Sequence, residues 1–423
     1  MRLDRLHIQN FRCYEDATFD FQPGFNLVVG VNGSGKTSLL QGIADAFLPF
    51  GNAMERIERV LPIKDVRFVI DRYEGRIRFE RKFPVGIHAK GNIFGLPEWN
   101  MMSLAEEWKV AVSASFQSHV EQLLTKWDAN ESFDLPVLAF YRADRRWANA
   151  GITAEFAAQK KVSRFDGYSN WFDSVINLED FETWFIAKTL ERMQNVLDAG
   201  LSHPEPNDEL AWVNNVIGVA LKHVQNLRYD LRLQSLLVDI DNNGTVPFSE
   251  LSDGQRGFVA LIADIARRMC ILNPHMGKDV LQNTSGVVII DELDIHLHPA
   301  WQRNIVPALK QAFPKVQFIA ASHSPQIIGS LKPEEVIVLN NGQSSHPRVT
   351  YGLDSSSVLE EVMDVAQREP EIEQRLSELF SALEDNDLGK AKELLAALKH
   401  DAPDLPEFAG AEALIRRKEI LGK

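Results

Sequence analysis

The stretch Gly30-Val31-Asn32-Gly33-Ser34-Gly35-Lys36-Thr37 constrains this chain most, because it is a full G-x-x-x-x-G-K-[ST] match. Its glycines let the backbone curl until successive N–H groups face one point, the geometry a phosphate requires. The context agrees. Asn26-Leu27-Val28-Val29 is an apolar run of strand length, and Thr37 to Phe47 has helical periodicity, so strand, glycine-rich turn and helix follow in order. The helix N-terminus adds partial positive charge. Gly30, Asn32, Gly33, Ser34, Gly35, Lys36, Thr37 and Ser38 are therefore expected to cradle ATP. Lys36 reaches the β- and γ-phosphates, and the Thr37 hydroxyl ligates Mg2+.

Gly286-Val287-Val288-Ile289-Ile290-Asp291-Glu292 is the second constraint. Its apolar residues end in two acids, which places carboxylates at the mouth of a buried parallel strand. Asp291 is expected to hold Mg2+, and Glu292 to orient and deprotonate the attacking water. Two further features are weak alone. Leu251-Ser252-Asp253-Gly254-Gln255 precedes a helix and reads equally well as a helix cap. Val316 to Ala321 is a strand-like run that ends in Ser322-His323, with one histidine at its tip.

The 45 basic and 59 acidic residues leave a net charge of −14, which excludes a chain that coats nucleic acid through bulk positive charge. A local groove stays open as a reading: Arg142, Arg145, Arg146 and Arg164 either line one for nucleic acid or phosphate, or are solvated loop charges. Two cysteines, Cys13 and Cys270, fit a reducing compartment better than a disulfide framework. The start lacks the apolar stretch of a signal peptide, and no run approaches the roughly 18 apolar residues that span a bilayer. A cytoplasmic chain without a membrane partner is expected.

Alternation at Leu3–Ile8 and Ala17–Phe21 predicts strands, and Val66–Asp71 with Gly75–Glu80 predicts a hairpin. Residues 86–98 show no clear period and suggest a loop or irregular strands. Ser103 to Lys126 has helical period, Pro136 to Tyr141 is strand-like, and Phe172–Leu201 and Ala211–Val224 are helical. Strands return at 231–248, and a helix is expected at 258–272. Everything after residue 355 reads as helix, with apolar stripes at Ile372/Leu376/Leu379/Leu383 and Ala391/Leu394/Leu395/Leu398. The expected partition is 1–85 for the first part of an α/β head and 86–230 for an inserted, mostly helical segment. Residues 231–345 complete the head, and 346–423 form a helical tail suited to docking a partner.

Phosphate loop, Ser252-Asp253-Gly254-Gln255, Asp291-Glu292 and His323, taken in this order, resemble the ABC-type ATPases. Leu6-His7-Ile8-Gln9-Asn10-Phe11-Arg12 and Leu293-Asp294-Ile295-His296-Leu297-His298-Pro299 resemble their SMC/RecF branch, which includes the OLD-family ATPase domain. The resemblance implies a P-loop α/β head with a mixed sheet and flanking helices, in which two heads sandwich two ATPs. It makes Ser252, Gly254 and Gln255 a signature that acts on the other copy's nucleotide. Asp294 falls in the loop that crosses the dimer, Arg12 near the nucleotide, and His323 at the γ-phosphate. His296 and His298 have the spacing of a metal pair, but structural or dimer-contact roles suit them better. The glutamine loop of the family has no clear counterpart, since Gln117 and Gln122 lie in a predicted helix.

About 210 residues separate phosphate loop and signature, without a coiled coil long enough for an arm. With Pro136–Arg145, Gly167-Tyr168, Trp184-Phe185 and Tyr351-Gly352, this is similar to the ATPase subunit of Septu and related retron anti-phage systems. That likeness implies a slow or regulatory ATPase that assembles with itself and with a separate HNH-type nuclease. The alternative is a RecF-like repair ATPase whose main activity is DNA binding.

Overall fold

The computed structural model describes residues 1–57, 59–73, 76–104, 111–112, 114–129, 131, 133–143, 152–172, 178–198, 207–221, 224–241, 244–340, 342–365, 369–403 and 405–421. In chain order its strands are β1 (Arg2–Phe11), β2 (Tyr14–Asp20), β3 (Phe25–Val29), β4 (Phe68–Tyr73) and β5 (Arg76–Arg81). Then come β6 (Val85–Ile93), β7 (Leu96–Ser103), β8 (Ala111–Val112), β9 (Val137–Tyr141), β10 (Val224–Asp230) and β11 (Ser235–Ile240). β12 (Gly244–Pro247), β13 (Gly286–Ile290), β14 (Val316–Ala321), β15 (Val336–Asn340) and β16 (Gln343–Ser345) complete the series.

The central sheet has the order β16-β15-β3-β14-β13-β9. From β15 to β9 every pairing is parallel, and β16 closes one edge antiparallel. β3, β9, β13 and β14 are buried along their whole length, as apolar runs in a parallel sheet covered on both faces must be. Val288, Ile289, Ile290 and Ile319 are fully buried. Each such side chain contributes about 1.5–3 kcal/mol through the water it sheds. The helix Lys36–Ala46 packs on β13 and β14, and the helix Asp253–Leu272 packs on β9.

An antiparallel sheet, β2-β1-β6-β7-β8, lies beside the central one. Gln317 joins the two: its side chain accepts from Leu3 N at 2.8 Å and donates to Leu3 O at 2.7 Å and Gln22 O at 2.9 Å. β4 and β5 pair only with each other, and β10-β11-β12 form a meander.

Several sequence expectations need correction. Of the two readings of residues 86–98, loop or irregular strands, the strands hold: they are most of the β6–β7 hairpin, whose alternation is masked by glycines and by Trp99 turning inward. The 86–230 segment is not a separate helical insertion. The boundary at residue 85 falls inside β6, which pairs with β1 (Ile87 opposite Ile8), and β9 forms the edge of the central sheet. Its helices include Ala114–Asp128, Leu178–Asp198 and Glu209–Ala220, so the helix expected from Ser103 begins eleven residues later. The helix expected to run to Val224 ends at Ala220, and strand begins at Val224 rather than at Leu231.

The chain divides into two compact units, Met1–Asp354 and Ser355–Lys423. Residues 346–354 belong to the first, because the Thr350 hydroxyl donates to Leu331 O at 2.6 Å and Gly352 N to Gly329 O at 3.0 Å. In the second unit, helices Pro370–Glu384, Leu388–Asp401 and Glu407–Leu421 enclose one core. Both predicted stripes, through Leu376, Leu379, Leu383, Ala391, Leu395 and Leu398, are spent on that core, joined by Phe408 and Ile415.

Candidate nucleotide site

Parallel strands deliver their C-terminal ends to one edge, so the loops after β3, β14, β13 and β9 meet there. The loop after β3 is the phosphate loop. Gly35 takes φ 104°, in the left-handed region that favours glycine. A Cβ there would lie 2.4 Å from the Tyr14 hydroxyl, which donates to Gly35 O at 3.1 Å. Lys36 is buried, with Nζ donating to Gly30 O at 2.9 Å and Val31 O at 3.1 Å. Burial lowers its pKa, while Asp291, Glu292 and Asp294 act to raise it. Those opposing effects place all three carboxylates within electrostatic reach of the ammonium.

Ser34 Oγ is buried without a hydrogen-bond partner. Gly35, at the helix N-cap, offers no side chain to the first-turn N–H groups. An unpartnered hydroxyl, unfilled N–H donors and a buried ammonium form a donor set that a polyphosphate satisfies. Asn32, Gly33 and Thr37 face solvent and Ser38 is half-buried, so the loop is open to a ligand.

β13 ends in Asp291, whose N–H donates to Tyr141 O at 2.8 Å and whose side chain is only 4% exposed. Glu292 is exposed, with φ 48°. Leu293 N donates to Ala321 O at 2.8 Å, so this loop is pinned over the end of β14. There the Asp294 carboxylate accepts the His323 N–H at 3.3 Å. Burial and then Lys36 push the His323 imidazole below its ordinary pKa, which keeps it neutral. Lys36, Asp291, Glu292, Asp294 and His323 are thus brought together. The Thr37 hydroxyl and the Asp291 carboxylate are oxygen donors of the kind a hard cation takes.

The signature residues keep their hydrogen bonds within their own turn. Ser252 Oγ accepts Gln255 N at 3.4 Å, and Ser252 N donates to Gln255 Oε1 at 3.3 Å, a capping box on the helix Asp253–Leu272. Gly254 has a packing reason: a Cβ would sit 2.1 Å from His296 O. The turn therefore seats against the loop that carries Asp294. His298 caps the helix Pro299–Ala312, its ring accepting Ala300 N at 3.3 Å. Among the described residues no group of three or more His, Cys, Asp or Glu could hold a metal ion.

Arg12, next to a Cys13 whose Sγ lies 3.1 Å from where a Cβ on Gly35 would stand, is tied to Asp65. Its Nε donates to Asp65 at 2.7 Å, and its N–H to Asp65 O at 2.8 Å. Of the four arginines read as groove lining or as solvated loop charge, Arg142 and Arg164 lie among the described residues. Arg164 donates to Leu272 O at 2.6 Å and Phe133 O at 2.8 Å and stacks on Trp127, so it is a packing residue. Arg145 and Arg146 lie outside the described residues. Arg142 follows Tyr141, the partner of Ile290, and so stands beside Asp291 at the sheet edge. Its guanidinium lies over the rings of Phe140 and Phe172. Gln117 and Gln122 are exposed on the helix Ala114–Asp128.

A buried network escaped the sequence reading. Tyr141 donates to Asp264 at 2.7 Å, and Arg267 and Arg268 bind the same carboxylate at 2.7 and 2.8 Å. Arg268 also donates to Gly167 O and Ser169 O, both at 3.0 Å. Burial alone would raise the Asp264 carboxyl; the two arginines hold it well below the usual carboxylate range. The helix that begins at the signature is thereby fastened to the strand beside Asp291. Charges at i, i+3 and i+4 inside an apolar helix were the available signal.

A family model described as "AAA domain, putative AbiEii toxin, Type IV TA system" matches residues 25–329. The chain is 29% identical to "Retron Ec83 probable ATPase" of Escherichia coli, over 88% of this chain and 78% of that protein. It is 23% identical to "Septu protein PtuA" of Bacillus thuringiensis, over 90% of this chain and 89% of that one. Among solved structures it is similar to an SMC head bound to the C-winged helix domain of ScpA. That match has TM-score 0.49 and 14% identity, over 82% of this chain and 97% of that one.

Proposed function

The chain belongs to the AAA-domain family that it matches over residues 25–329 and is an ATPase with the ABC-type fold; from that premise we propose that it drives an anti-phage defence complex. The observation that carries this reading is the meeting of Lys36, Asp291, Glu292, Asp294 and His323 at one sheet edge. Lys36 neutralises the β- and γ-phosphates, and Gly30 to Ser38 wrap them with N–H donors. Mg2+, when bound by Thr37 and Asp291, offsets the charge that develops on the phosphates. Glu292 accepts the proton of the attacking water, and neutral His323 bonds to the γ-phosphate.

Two copies face head to tail, with Ser252, Gly254 and Gln255 of one completing the ATP site of the other. Exposure of Ser252 at the N-terminus of the helix Asp253–Leu272 supports this arrangement. Kinship with a retron ATPase and a Septu protein supports a nuclease partner, which the resemblance makes HNH-type. Because the tail's apolar stripes are buried in its own core, that partner meets its charged outer faces.

The test is light scattering with a non-hydrolysable ATP analogue. Wild type doubles in mass, whereas Ser252→Arg binds nucleotide and stays single. Co-expression with an adjacent short reading frame then recovers the nuclease on the full chain. A Ser252→Arg variant that doubles in mass defeats the trans arrangement, and a co-purified partner without nuclease activity defeats the defence reading.

A further inference from the structure

Among the described residues β4 and β5 pair only with each other, and their register sets which side chains share a face. Ile70 stands opposite Phe79, Phe68 opposite Arg81, and Ile77 is two residues before Phe79. Phe68, Ile70, Ile77 and Phe79 therefore share one face, and they are 49%, 57%, 58% and 62% exposed. Four large apolar side chains left together in water mark a binding surface. The rings are ordered: Phe68 and Phe79 stack with centroids 5.6 Å apart and planes 12° from parallel. The Arg81 guanidinium continues the stack at 5.4 Å from the Phe68 centroid, held there by Val66 O.

The charge around this face is opposite to that of the chain. Residues 64–82 carry seven basic side chains against four acidic ones, a surplus of three in a chain whose total is −14. Lys64 is exposed and follows Ile63, whose carbonyl accepts from the same Arg81 guanidinium, whereas Arg78 stands opposite Asp71 on the other face of the hairpin. Cation and stacked rings together match what binds a polyanion with flat faces. A duplex hides the faces of its bases, and a single strand presents them. Two copies meeting through this face would set a basic surface against its equal, which like-charge repulsion opposes.

We propose that the β4–β5 hairpin is a stacking platform for single-stranded nucleic acid, with bases on Phe68 and Phe79 and phosphates on Arg81 and Lys64. It lies outside the residues proposed to bind ATP. The sequence preference is weak, because every base has a face to stack.

The probe is fluorescein-labelled oligo-dT or oligo-U of about 20 nucleotides, read by anisotropy on the full chain. Wild type binds, and binding weakens as salt rises. Phe68→Ala/Phe79→Ala weakens it at least about tenfold, since each stacked base is lost. Lys64→Ala weakens it a few-fold and reduces the salt slope by about one. ATP turnover in all variants equals wild type, which separates this surface from the nucleotide site. Absence of binding by wild type overturns the proposal, as does equal binding by the double alanine variant. Equally tight binding of duplex of the same length overturns the stacking account. A larger wild-type mass than the double variant, without nucleic acid, would instead make the face an interface between copies.

Discussion

The phosphate loop and the signature turn both open a helix, yet they satisfy its free N–H groups in opposite ways. At the signature, Ser252 and Gln255 form a reciprocal cap, so the turn is complete within one chain. At the phosphate loop, Gly35 gives no cap, Ser34 Oγ has no partner, and Lys36 turns back to carbonyls of its own loop. The difference separates a loop whose side chains leave donors unpaired from a turn that pairs its donors with its own side chains. The loop calls for an anion by itself, whereas the signature gains a nucleotide role only through a second copy.

The harshest way to break this contrast is Lys36→Ala. Removing one partner of a buried charge contact costs about 2–5 kcal/mol, so ATP affinity should fall at least about thirtyfold in calorimetry. Thermal stability should hold, because the lost ammonium was itself desolvated. Next is Asp264→Asn, which leaves Arg267 and Arg268 buried beside a neutral amide. Denaturant unfolding should show a loss of about 3–5 kcal/mol. A smaller loss would mean that the signature helix is held by its apolar contacts alone.

Ser252→Ala sharpens the comparison. It should lower stability by about 1 kcal/mol through the lost cap, yet leave ATP affinity of a single head unchanged. Altered affinity in dilute protein would place the signature within its own copy's site. A pH-dependent effect concerns Asp45, on the phosphate-loop helix and fully buried. Burial and Asp65 push its carboxyl up to about 8, against the pull of Gln41, Arg12 and Arg142. The folded chain thus keeps a proton that the unfolded chain releases near the ordinary value of 3.8. That contribution is present at acid pH and is lost as pH rises to about 8. The melting-temperature advantage of Asp45→Asn over wild type should therefore grow from pH 5.5 to 8 and then level off. A constant difference across that range would contradict a neutral Asp45.

The parts written in short, contiguous patterns were legible. Gly30–Thr37, Gly286–Glu292 and the apolar run into His323 each occupy one strand and one loop, and parallel pairing brings them to one edge. What stayed hidden depends on partners distant in sequence. Nothing local says that Pro136–Tyr141 pairs with β13, so the stretch 86–230 read as an insertion and Arg142 had no address beside Asp291. Arg164 read as a surface charge because its acceptors are backbone carbonyls of Leu272 and Phe133. The tail's stripes were visible, but the third helix that closes over them was not.

The measurement that tests the central claim most directly is ATP binding and ATP turnover in Glu292→Gln, side by side with wild type. The amide keeps size and hydrogen bonding but cannot take the water's proton. Affinity should stay within about threefold, while turnover falls by about 10²–10⁴-fold. Turnover equal to wild type would show that the carboxylate after β13 does not activate the water, and the site described here would not be the one that hydrolyses ATP.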